Sequence, residues 1–166
     1  ITNTHQVGIV RDALVDYEAR LHPDASWLLP VVAETYDGWL NDINGFHLTH
    51  DHVFAALDRA TSGPVAEGNV GGGTGMICHD FKGGIGTASR MAAVGAETYT
   101  VGALVQANYG DRRDLRVDGA PIGREISEAE VPLPWLPEPG SGSIIIIIAT
   151  DAPLLPYQCE RLAQRA

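Results

Sequence analysis

Residues 138–154 read EPGSGSIIIIIATDAPL, and the fold turns on how this stretch is read. Five consecutive isoleucines, Ile144 to Ile148, form a β-branched run that is stable as a strand with both faces buried. Immediately before it stands Gly-Ser-Gly-Ser, a peptide with almost no conformational preference of its own. Ser143 lies at the seam, with a backbone free to bend on one side and a fixed strand on the other. A hydroxyl so placed can attack the carbonyl of its own preceding residue, Gly142. An N→O acyl shift followed by hydrolysis would cut the chain and free the α-amine of Ser143. That amine, with a pKa of about 7.7–8.0, can act as general base for its own hydroxyl. Glycine at 142 suits a strained turn that a Cβ would obstruct. The plainer alternative is a Gly-Ser linker that merely precedes a strand, and composition alone favours it.

Working outward, a helix is expected from Leu155 or Pro156 to the end of the chain. Upstream, Pro132, Pro134, Pro137, Pro139, Gly140 and Gly142 mark residues 127–142 as a linker. The glycine-dense centre predicts strands near 76–81, 85–93 and 97–108, with a short hairpin at Asp118-Gly119. Nearer the start, Val10, Leu14, Tyr17 and Leu21 recur at helical spacing and His22-Pro23 stops the helix. The run WLLPVVAETY, residues 27–36, reads as a strand or strand edge broken at Pro30 and turning at Asp37-Gly38. Thr49 is an N-cap for a second helix, Asp51 complements its N-terminus, and Val53, Leu57 and Ala60 form one face. Strand runs flanked by helices, without an internal repeat, indicate an α+β layered domain. Residues 1–166 are read as one domain.

With 166 residues, 45% hydrophobic and 19% charged, the composition is that of a globular chain. The net charge is −10, and Arg112, Arg113 and Arg116 make the only basic cluster, which argues against a nucleic-acid partner. No apolar run reaches the roughly 20 residues of a membrane helix. Cys78 and Cys159 are expected as buried thiols, a disulfide between them being the less favoured alternative. The chain opens on Ile1 and stops within CERLAQRA, an amphipathic helix pattern. It is therefore expected to be a piece of a longer protein. A soluble protein is expected, the cytoplasm being favoured over the periplasm.

Several polar groupings have ordinary readings. The loop Gly68–Gly75 matches neither GxGxxG nor GxxxxGK[ST], so a structural turn or a cleft lined by backbone amides is expected. His47, His50 and His52 do not share the i, i+4 face a helical metal site needs; they read as solvated residues at a helix entry, a zinc site being the less favoured alternative, and no metal or other cofactor is expected. Asp151 is expected to bond the local amides of its Asp-Ala-Pro turn.

Five blocks, AETYDGWLNDINGFH, EGNVGGGTGM, FKGGIGTASR, LVQANYG and GSGSIIIIIATDAPL, together resemble the P1 family of self-processing aminopeptidases. That family includes the L-aminopeptidase/D-Ala-esterase/amidase and the β-peptidyl aminopeptidases. The resemblance implies an N-terminal-nucleophile hydrolase with a layered αββα-type sandwich, shared with ornithine acetyltransferase-like enzymes and incomplete here at both ends. It implies cleavage between Gly142 and Ser143, so that 1–142 belongs to an α chain and 143–166 opens a β chain. Ser143 would be the nucleophile and Asn108 the oxyanion donor. Glu34 would hold the substrate's free amine, and Tyr36, counted with the catalytic residues, would line the site and hydrogen-bond the reacting group. The implied substrates are small peptides and amino-acid amides or esters with a free amine, turned over by a homo-oligomer of α/β heterodimers. Acyl transfer of the ornithine acetyltransferase type is the alternative, although those relatives use threonine where this chain has Ser143. A noncatalytic ligand-binding or degenerate domain is the alternative from another class.

Overall fold

A computed structural model describes residues 1–133 and 142–166. The chain divides into two compact units, Ile1–Pro64 and Val65–Ala166.

In the first unit a two-residue strand, β1 (Thr2–Asn3), leads through a short 3-10 turn into α1 (Val7–Leu21). The helix occupies the range its apolar spacing predicts, burying Val10 and Ala13. It ends where His22 donates its N–H to Glu18 O at 2.8 Å, since Pro23 has no N–H with which to continue. The run 27–36 differs from expectation. Residues 27–33 have no regular structure, and only β2 (Glu34–Thr35) pairs, parallel to β1. Pro30 removes a ladder donor in the middle of that run, which confines pairing to its end. Thr49 caps α2 (His50–Asp58), and His52 Nδ1 accepts the Thr49 N–H at 3.1 Å. The helix stops short of Ala60, so the expected face ends at Leu57. α1 and α2 meet through Tyr17 and Phe54, with ring centroids 5.7 Å apart, and through Tyr17 Oη donating to Asp58 at 2.7 Å.

In the second unit a tight hairpin, β3 (Ile77–Cys78) with β4 (Phe81–Lys82), precedes the long strands β5 (Gly84–Val94) and β6 (Glu97–Tyr109). The single strand expected over 76–81 is thus two short ones, because His79 and Asp80, with φ of 51° and 62°, turn the chain back. Asp118 and Gly119, with φ of 50° and 80°, form the expected two-residue hairpin turn closed by Val117 and Ala120. A single helical turn, α3 (Ile122–Glu125), follows. The linker is described as far as Leu133, and 134–141 lie outside the described residues. The isoleucine run is β7 (Gly142–Thr150), and α4 (Pro156–Arg165) begins with proline at its first position.

β5, β6 and β7 form one antiparallel sheet in that order. Its strands and the helices along the chain make the fold α+β.

Two expectations about burial are corrected. The isoleucine run is not enclosed on both faces, and Ile147 remains 46% exposed. Among the described residues β7 has one neighbouring strand, and Ile144, Ile146 and Ile148 line a cavity with Cys159 and Leu162 of α4. Nor are the cysteines buried thiols. Cys78 is half-buried beside the hairpin turn, Cys159 is exposed on α4, and both are free. Burial raises the pKa of the Cys78 thiol, which a bond with the Tyr109 backbone partly opposes.

Candidate active site

The ladder between β6 and β7 sets the geometry. Antiparallel register places Asn108 directly opposite Ser143, and Tyr109 opposite Gly142. Directly opposed side chains lie on the same face of a sheet. Asn108 Nδ2 accordingly donates to Ser143 Oγ at 3.1 Å. The orientation of that amide is fixed from its other side, where the Ile77 N–H donates to Asn108 Oδ1 at 2.9 Å. A backbone donor must face the carbonyl oxygen, which leaves the NH₂ pointing at the serine. Asn108 is only 9% exposed and Ser143 is half-buried, so this contact is little diluted by water.

Gly142 has φ +149°, a conformation natural to glycine. A Cβ there would stand 3.1 Å from both Cα and Cβ of Tyr109. The backbone before the serine therefore runs close beside β6.

Residues that the sequence reading did not single out hold this end of the sheet. The His79 N–H donates to Tyr109 O at 2.8 Å, and His79 Nδ1 meets Asp111 O at 3.0 Å. The His79 ring packs edge-on to Tyr109, with centroids 5.4 Å apart. Asp80 is buried and accepts the Arg112 N–H at 3.0 Å. Two successive non-glycine residues at positive φ cost roughly 1–3 kcal/mol each, and these contacts to 109–112 offset that cost. The available signal was a polar pair, His-Asp, between the short apolar runs MIC and F.

Glu34 and Tyr36 belong to the first unit. Glu34 is half-buried, and its carboxylate accepts the Thr4 hydroxyl. Asp37, buried just beyond, accepts from Asn41 Nδ2 at 2.9 Å and from Asn3 at 3.4 Å. The half-exposed Tyr36 lays its phenol end over Gly38, where a Cβ has no room.

Other groupings have structural roles. Beyond the cap that His52 provides, His47 lies 3.5 Å from Asp42 and His50 3.6 Å from Asp16. Among the described residues no three metal-ligating side chains are grouped, and no helix is long and apolar enough to cross a membrane. The glycine-rich loop bridges Gly68 to Ile85 and closes on Gln106, which a Cβ at Gly72 would approach to 2.6 Å. Asp151 departs from its expected local role. Its carboxylate accepts the Thr100 N–H across the sheet at 2.7 Å, while Thr150 Oγ1 caps Ala152 N at 3.2 Å.

Comparison with known proteins fits this frame to a class, the aminopeptidases with a variant Ntn hydrolase fold. The structure superposes with TM-score 0.86 on the L-aminopeptidase D-Ala-esterase/amidase of Ochrobactrum anthropi, described as a prototype serine aminopeptidase of that fold. Sequence identity is 47%, over 98% of this chain and 45% of that one. A Burkholderia β-aminopeptidase superposes with TM-score 0.86 at 60% identity, covering 98% of this chain and 44% of that one. The chain belongs to peptidase family S58, whose profile matches residues 1–166. The β-peptidyl aminopeptidase BapA of Sphingosinicella microcystinivorans is 54% identical over the whole of this chain. The same holds for BapA of Sphingosinicella xenopeptidilytica. The chain spans 44% of the length of each of these two curated relatives.

Proposed function

We propose that the whole protein is a self-cleaving serine aminopeptidase. In the first reaction Ser143 Oγ attacks the Gly142 carbonyl carbon, the C–N bond breaks, and the Ser143 nitrogen takes a proton. Water then hydrolyses the resulting ester, leaving a Gly142 carboxylate and restoring the hydroxyl beside a free α-amine. In turnover that amine accepts the hydroxyl proton while Oγ attacks the substrate carbonyl, then donates a proton to the leaving amine. Asn108 Nδ2 stabilises the oxyanion, the role that preorganised donors fill most effectively. Water hydrolyses the acyl-enzyme and releases the residue with the free amino group.

The observation that carries this reading is the Asn108–Ser143 contact at the register position where Gly142 lies against Tyr109. One amide then serves both reactions, because both build negative charge beside the same hydroxyl. Glu34 holds the substrate ammonium through a charge-assisted hydrogen bond, displacing the Thr4 hydroxyl that it now accepts. A substrate without a free amine would leave that carboxylate unpaired. Tyr36 takes the part the family resemblance gives it, a hydrogen bond to the reacting group. The named relatives, β-peptidyl aminopeptidases and an L-aminopeptidase, support small amine-bearing peptides, amides and esters as substrates.

The test uses the whole protein with matched free-amine and N-acetylated amino-acid p-nitroanilides. The free-amine substrate should be hydrolysed and the acetylated one ignored. Ser143→Ala should hydrolyse neither and stay uncut. Activity persisting in Ser143→Ala would overturn the assignment.

A further inference from the structure

We infer that Arg112 is a positioning residue for the self-cleavage, an inference that rests on the reading above and names the part that presents the bond. Arg112 is buried at 6% exposure. Its guanidinium lies over the Phe81 ring, 4.9 Å from the centroid. Its Nη1 donates to Val131 O at 2.6 Å and reaches Ser127 O at 3.5 Å. Nε and Nη2 meet no acceptor among the described residues, and none of the ion pairs there includes Arg112.

As a stabiliser this is poor design. Burying a guanidinium whose Nε and Nη2 meet no acceptor among the described residues is costly, and an apolar side chain of similar volume would fill the space without that cost. What the guanidinium does, and an apolar side chain cannot, is hold the two carbonyls at 127 and 131. Those carbonyls belong to a turn that is also tied at the surface, where Glu130 accepts both the N–H and the hydroxyl of Ser127 at 2.9 Å.

The placement gives the tie its purpose. Val131 is fixed to Arg112, and Gly142 pairs with Tyr109, three positions earlier on the same stretch of chain. Asp80 holds Arg112 by its backbone, and His79 holds Tyr109 by its carbonyl. The residues on either side of 132–141 are therefore anchored to one short segment, next to the Asn108 that faces Ser143. Fixing both ends in advance removes part of the entropy of bringing the Gly142 carbonyl and Ser143 Oγ into attack geometry.

The experiment follows cleavage of the whole protein from the moment of synthesis in a cell-free system, by denaturing gel and intact mass. It then measures kcat and KM on the cleaved product. Arg112→Gln should slow cleavage by about tenfold to a hundredfold, with a much smaller change in kcat once cut. Arg112→Lys, which keeps the charge but gathers its donors on one nitrogen, should fall between. Cleavage at the wild-type rate in Arg112→Gln would overturn the inference. So would an equal loss of cleavage and kcat, the signature of a purely structural role. Should Arg112→Gln fail to fold, the surface variant Glu130→Ala loosens the same turn. Slowed cleavage there supports the inference, and an unchanged rate overturns it. A wild-type protein that never cuts defeats the proposed function itself, an outcome no Arg112 variant can mimic.

Discussion

The two ends of β6 are built from opposite materials. Near Glu97–Thr100 the strand and its partner β5 lie open, with Met91 78% exposed and Val94 also exposed. Toward Asn108 the same strand buries polar groups: Gln106 is fully buried, Asn108 nearly so, and Arg112 lies just past the strand. Apolar side chains left in water add little to holding a strand. Buried polar groups fix one geometry wherever their partners are in place, and cost free energy where they are not. The lesson is that precision in this unit is concentrated where hydrogen bonds converge, and that end carries Ser143.

The polar end of β6 is most sensitive at Asn108. Replacing it with alanine in the whole protein should lower kcat about 100- to 1000-fold and slow cleavage as well. Steady-state kinetics with a free-amine anilide, alongside a gel of the cleavage products, reads both effects. A change confined to KM would contradict the oxyanion role.

Gly142→Ala comes next. A side chain at φ +149° must move away from Tyr109, with strain of order 1–3 kcal/mol. Cleavage should slow by roughly tenfold, since each 1.36 kcal/mol is a factor of ten. Time-resolved mass spectrometry checks this.

The hairpin clamp acts on stability. Asp80→Ala strips the buried Arg112 N–H of its acceptor and should cost about 1–3 kcal/mol. Met91→Ser at the open end should stay within about 0.5 kcal/mol if that end is as exposed in the whole protein. Chemical denaturation of both variants decides whether the two ends differ in kind.

The smallest effect is a pH effect at the edge of β5. Hydrogen bonds from the Thr87 hydroxyl and N–H hold the Glu67 carboxyl below its ordinary value of 4.5. A depressed folded-state pKa stabilises the fold above the ordinary value, and that stabilisation is lost as pH falls through the lowered one. Melting curves of wild type and Glu67→Gln should therefore differ slightly at neutral pH and converge in acid. The carboxylate is fully solvent-exposed, so the difference is small.

Much of this was legible in the sequence, and the reasons are local. The bounds of α1 follow from one apolar periodicity and one His-Pro stop, and Thr49 announces α2 by its chemistry. The isoleucine run could only be a strand. Long-range matters were not legible. Pro30 marks a break in its run, but which residues still pair is decided by β1, about thirty positions away, and His79-Asp80 lacks the Asn-Gly or Asp-Gly mark of a tight hairpin. The partner of Asp151, Thr100, is 51 residues away, and the sequence near Asp151 points only to its own turn. The same holds for the site. Asn108 and Ser143 are separated by 35 residues, and only strand register brings them together. Without the family resemblance Asn108 would have passed as an ordinary turn residue.

The central claim is that the hydroxyl at the head of β7 becomes a chain end. Intact mass of the whole protein, with N-terminal sequencing of its pieces, tests this directly. The account predicts two polypeptides, the second beginning SIIIIIATD at Ser143. A single uncut polypeptide that still hydrolyses amine-bearing substrates would contradict it.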